Sequence, residues 1–142
     1  MAANNPLNAY RETQIKTASQ GKLIIMLYDG AIRQVDAGID ALRCDAPALD
    51  TVNNSLVKAQ DLVTELMVSL DFDRGGEIAQ TLFNLYMFFN RQLIEANIKK
   101  DPAPLVEVRQ MLAELRSAWV EIVERGEPSP DDDRGGSVNI AG

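Results

Sequence analysis

The sequence predicts an all-α protein: an antiparallel four-helix bundle with an N-terminal arm packed on it and a disordered C-terminal tail. Apolar residues recur in steps of three and four along four separate stretches, and acidic residues, glycine or proline bound each stretch. No stretch shows the sustained alternation of a half-buried strand. With 142 residues, 46% of them hydrophobic, one core can form without disulfides or metal.

The first stretch runs Leu27, Ala31, Val35, Gly38 and Leu42, with Ser19 placed to cap its start and Cys44-Asp45-Ala46-Pro47 to break it. In the second, Val52, Leu56, Ala59, Val63, Leu66 and Leu70 form the seam of a helix packed among helices. Asp50 is its expected N-cap, with a carboxylate that can accept from the first free amides, and Asp71 to Gly76 is its expected stop. Ile78, Leu82, Leu85, Phe89, Leu93 and Ala96 mark the third. Leu105, Val108, Leu112, Leu115, Trp119 and Ile122 mark the fourth, with Asp101 as cap, Pro102 at the first helical position and Gly126 as terminator. Helices of roughly 20 to 25 residues, ~30 to 37 Å long and joined by short breaks, pack most economically as a bundle over residues 19–125.

The ends differ from this middle. Residues 1–18 carry isolated apolar side chains, Leu7, Tyr10 and Ile15, too few for an independent helix but enough for an arm lying on the bundle. Residues 126–142 begin with a run rich in proline, acid and glycine and are expected to be a disordered acidic tail.

Composition excludes several functions. The formal charge is −7 at pH 7 and no basic face is concentrated enough for phosphates, so nucleic acid is not an expected partner. The chain has no histidine, hence no imidazole base, no phosphoacceptor of phosphotransfer bundles and no carboxylate–histidine metal site of bundle enzymes. Cys44 stands alone, without a disulfide partner or zinc-ligand company. Asp71 with Asp73, and the run Asp131 to Asp133, lack the spacing of a calcium loop. The expectation is therefore no catalytic residue, no cofactor and no metal. No charged-then-apolar leader opens the chain and the longest apolar run is Leu23 to Leu27, so a cytoplasmic protein without membrane insertion is expected.

The third helix is apolar beyond its seam. Phe83, Tyr86, Met87, Phe88, Ile94 and Ile98 continue around the cylinder, as they would if this helix were the most buried of the four or if part of it received a partner. Rigid aromatics and adaptable methionine suit a groove for an amphipathic helix. Phe83, Tyr86, Met87 and Ile94 are its candidate lining, Asn90 a polar rim, and Leu7, Tyr10 and Ile15 its cover when empty. Lys58, Glu65, Glu95, Lys99, Glu107 and Glu114 lie off the seams and are expected to face solvent.

Asn5-Pro6-Leu7-Asn8-Ala9-Tyr10, then Thr17-Ala18-Ser19, then Met26-Leu27-Tyr28-Asp29-Gly30-Ala31-Ile32 resemble the opening of the flagellin secretion chaperone family, FliS. The likeness continues through Gly75-Gly76-Glu77-Ile78-Ala79, Leu93-Ile94-Glu95-Ala96-Asn97 and Leu115-Arg116-Ser117-Ala118-Trp119, and spans about residues 5–123. The resemblance implies a bundle that wraps the disordered C-terminal segment of flagellin, prevents premature polymerisation and supports secretion. It also implies an arm that yields to flagellin, and docking on the cytoplasmic domain of the flagellar export gate. Two departures stand out: Gln20 replaces a usual proline, and Met87-Phe88 replaces a more polar pair, which makes the groove greasier. The rival reading is a helical regulatory module that binds another protein through the same groove.

Overall fold

Each apolar stretch folds as a helix, and the computed structural model describes residues 20–126. Helix α1 is Gln20–Leu42, α2 Leu49–Val68, α3 Phe72–Lys99 and α4 Ala103–Glu124. The arm, the Ser19 cap and the tail from residue 127 onward lie outside the described residues. Helix α1 packs on α2 and α4, and α3 closes the ring against both. Cross-helix contacts fix the directions. Asp36 meets Arg109 while the earlier Asp29 meets the later Arg116, so α1 and α4 are antiparallel. Asn53 meets Asn97 and Thr64 meets Asn90, so α2 and α3 are too.

The core is filled from all four helices: Val35, Leu56, Val63, Phe89, Leu93, Leu105 and Leu112 are fully buried, and Trp119 nearly so. At its centre the Tyr28 and Tyr86 hydroxyls lie 2.5 Å apart, one from α1 and one from the diagonally opposite α3. Their rings meet edge to face at 6.4 Å. A hydroxyl taken from water needs such a partner, and this bond lets two tyrosines sit where aliphatics would otherwise be required. At Gly38 α1 packs tightly on α2, because a Cβ there would lie 2.7 Å from the Leu56 Cδ2.

Three expectations need correction. Asp50 does not cap α2: the Val52 amide already bonds to the Ala48 carbonyl, so the helix starts one residue before Asp50. Its carboxylate instead sits in the first turn, favourably placed for the helix dipole.

Asp71 to Gly76 is not a stop but a start. Helix α2 ends at Val68, where the Ser69 hydroxyl donates to the Leu66 carbonyl at 2.7 Å. Asp71 then caps α3 by accepting from the Arg74 amide at 3.2 Å. One helical turn follows, and the chain bends at Gly76, whose φ of 52° and ψ of −124° suit only glycine. Acid followed by paired glycine serves a capped, hinged beginning as readily as an end.

The buried stripe of α3 is Ala79, Leu82, Tyr86, Phe89, Leu93 and Ala96, and Ile78, expected in the core, is 57% exposed. Leu85 is half-buried against the core. Placing Tyr86 outside the seam, among the surplus apolar residues, shifts the apparent phase at this end. In α1, likewise, Ile24 and Tyr28 are buried while Leu27 is half-buried. The fourth seam stands, with Leu115 and Ile122 half-buried, and the Asp101 carboxylate accepts from the Ala103 amide at 3.0 Å as a cap should. Cys44 is exposed, as are all six charges expected to face solvent.

Candidate partner groove between the second and third helices

Neutral side chains bridge the seam of α2 with α3 on its outer side, one of them braced by a lysine. The Asn97 Nδ2 donates to the Asn53 Oδ1 at 2.9 Å, and the Lys100 ammonium donates to the Asn97 Oδ1 at 2.5 Å, which pins one end. Further along, the Asn90 Nδ2 donates to the Thr64 Oγ1 at 3.2 Å. Around these contacts run apolar side chains with no cover among the described residues. On α3 they are Met87, Ile94 and Ile98, the last 76% exposed. On α2 they are Val57 and Val68, the latter 80% exposed. Helical spacing places Val57 and Val68 on the same side as Asn53 and Thr64. From Phe83 to Ile98 the stripe is about 22 Å long, enough for four turns of a partner helix.

Two open depressions flank the stripe. One of about 390 Å³ is lined by Arg91, Ile94, Glu95, Ile98 and Lys99. The other, about 570 Å³, is lined by Asp61, Thr64, Glu65 and Val68. Apolar floors with charged borders characterise grooves that receive amphipathic helices. On the rim Lys99 pairs with Glu95 at 2.7 Å, and this hydrogen bond and charge hold the Lys99 ammonium protonated above its usual range.

Of the residues expected here, Met87 and Ile94 are exposed on one face of α3. Phe83 is half-buried one turn before Met87, with its ring 5.8 Å from that of Phe72 on the hinged first turn. Asn90 is half-buried between them. Tyr86, expected in the lining, is only 1% exposed and bonded to Tyr28, and packs in the core. Leu7, Tyr10 and Ile15 lie outside the described residues. Sequence reasoning missed the α2 wall. Its signal was Val57 and Val68, apolar residues off the seam and three turns apart. Among the described residues no three metal-ligating side chains cluster, and no helix is long and apolar enough to cross a membrane.

The sequence profile of the family described as flagellar protein FliS matches residues 3–126. This chain belongs to the FliS family. The flagellar secretion chaperone FliS of Bacillus subtilis (strain 168) is 33% identical to it over 141 residues, covering 99% of this chain and all of that protein. The Vibrio cholerae chaperone of the same name is 34% identical over 120 residues, 82% of this chain and 87% of that one. The Salmonella typhimurium one is 33% identical over 114 residues, 78% and 82% respectively. The profile thus takes in the whole bundle and most of the residues before it, and ends where the predicted tail begins.

Proposed function

We propose that this FliS-family chain is a flagellar export chaperone that holds the C-terminal segment of flagellin in the cytoplasm, in the groove between α2 and α3. There it prevents premature polymerisation and supports secretion. The observation that carries this reading is the exposed apolar stripe of Met87, Ile94, Val57 and Val68, in a chain whose relatives are named flagellar secretion chaperones. A self-associating amphipathic segment left free exposes apolar surface, and a groove that buries it exchanges aggregation for a reversible complex. Ordering such a segment costs about 2–5 kcal/mol, which a few buried anchors worth ~2 kcal/mol each offset without locking the complex.

Leu7, Tyr10 and Ile15 cover part of the groove in the free protein, with Tyr10 as the anchor and its hydroxyl toward Asn90. The loaded complex then meets the cytoplasmic domain of the flagellar export gate. The test is a calorimetric titration of flagellin's C-terminal segment into the intact chain and into one beginning at Lys16. The intact chain binds at one saturable site and the shortened chain binds more tightly or faster, because no cover must be displaced. Absence of binding to the intact chain overturns the reading. Many-fold weaker binding by a folded, shortened chain would instead make the arm part of the site.

A further inference from the structure

The groove is divided. The Thr64–Asn90 contact crosses it near the middle, with Val68, Phe83 and Met87 on one side and Val57, Ile94 and Ile98 on the other. Met87 and Ile94 are seven residues apart, two helical turns or about 10 Å. The Asn90 carboxamide is only half satisfied. Its nitrogen reaches Thr64, but its Oδ1 is buried with no hydrogen-bond partner, alone in this among the side-chain atoms of the described residues. Turning the amide over does not remove the deficit, because the nitrogen would then be the buried end without a partner.

We propose that the Thr64–Asn90 contact sets the register of the bound segment: it selects an amphipathic helix with two apolar anchors seven residues apart and one neutral hydroxyl or carboxamide side chain between them, facing Asn90. This rests on the groove being the flagellin site. Serine, threonine, asparagine and glutamine both donate and accept, so any of them satisfies the unpaired end whichever way the amide lies. A charged residue would have to shed its water at an amide that cannot neutralise it. Asn90 is half-buried beside the exposed Thr64, and on this proposal its amide swings outward as the partner arrives, which brings the unpaired end to the groove. A partner slipped by one turn would lay an apolar side chain over Asn90 and leave it unpaired. A single polar position inside an apolar seam fixes register in coiled coils by the same physics.

The test is a double-mutant cycle by calorimetry, with flagellin's C-terminal segment as probe. Each neutral polar residue of the segment's apolar face is changed singly to leucine and titrated into the wild-type chain, Asn90→Leu and Thr64→Val. One of these changes weakens binding to the wild type about tenfold and has no effect on Asn90→Leu, a coupling of ~1.4 kcal/mol. Asn90→Leu also raises the unfolding midpoint while weakening binding of the unmodified segment, a split that a purely structural asparagine does not give. If the wild type binds and no change differs by more than twofold between the two chaperones, the register role is overturned and the groove reading stands. If Met87→Glu and Ile94→Glu leave binding intact, the groove reading itself fails and this inference with it. Should Asn90→Leu not fold, Thr64→Val carries the same cycle, and absence of coupling there is equally decisive.

Discussion

The bundle has two seams that are built alike and finished differently. Where α1 meets α4, the outer edge carries Asp36 with Arg109 and Asp29 with Arg116, an acid–base pair every two turns. The hydrogen bond and charge of Asp36 raise Arg109 further above its already high range. Where α2 meets α3, the bridging groups are amides and a hydroxyl, with exposed apolar side chains between them. An ion pair held in water resists being covered, because a partner landing on it must strip two charges. Neutral contacts ask far less desolvation. On the proposed reading, the comparison teaches that a surface open to a partner is marked by what seals it as well as by its apolar content.

The largest effect expected is on the sealed side. Trp119→Ala removes a packed aromatic from α4 and should lower stability by ~3–5 kcal/mol, seen as a sharp fall in the denaturant midpoint. Flagellin binding should weaken only by the fraction unfolded. Met87→Glu and Ile94→Glu should do the reverse, each weakening flagellin binding by about 2 kcal/mol, roughly thirtyfold, with unfolding within about 0.5 kcal/mol of the wild type. A large loss of stability there would erase the contrast between the seams. Tyr86→Phe should cost about 1 kcal/mol of stability through the lost bond to Tyr28, with binding unchanged, and weakened binding in a fully folded variant would return Tyr86 to the groove. Smallest of all, Arg109→Ala or Arg116→Ala should cost ~0–1 kcal/mol, less at high salt, and leave flagellin affinity unaltered.

Much of the architecture was legible because the periodicity of α2 and α4 is written in aliphatic residues, whose burial has no alternative. Val52, Leu56, Ala59, Val63 and Leu66 all lie where spacing put them. The third helix was harder because Tyr86 carries a polar group, and its diagonal partner Tyr28 helps to satisfy it in the core. Such a partner, 58 residues away, has no local signature. The groove was half legible. Met87 and Ile94 announced themselves as surplus apolar residues on α3, but the α2 wall depends on which face of α2 meets α3, a tertiary fact. The Gly76 hinge was visible as a break, and nothing local distinguished a hinge from a stop.

The burial of Trp119 makes the molecule its own optical instrument. It is the chain's only tryptophan, and it sits on α4, which builds neither wall of the groove. Its emission therefore reports packing and stays indifferent to what the groove holds. Cys44, the only thiol and exposed just past the end of α1, accepts a dye at a single known point. Excitation of the indole and light from that dye follow the folded state in one colour, while a label on flagellin follows occupancy in another, so the two processes can be watched separately in one cuvette.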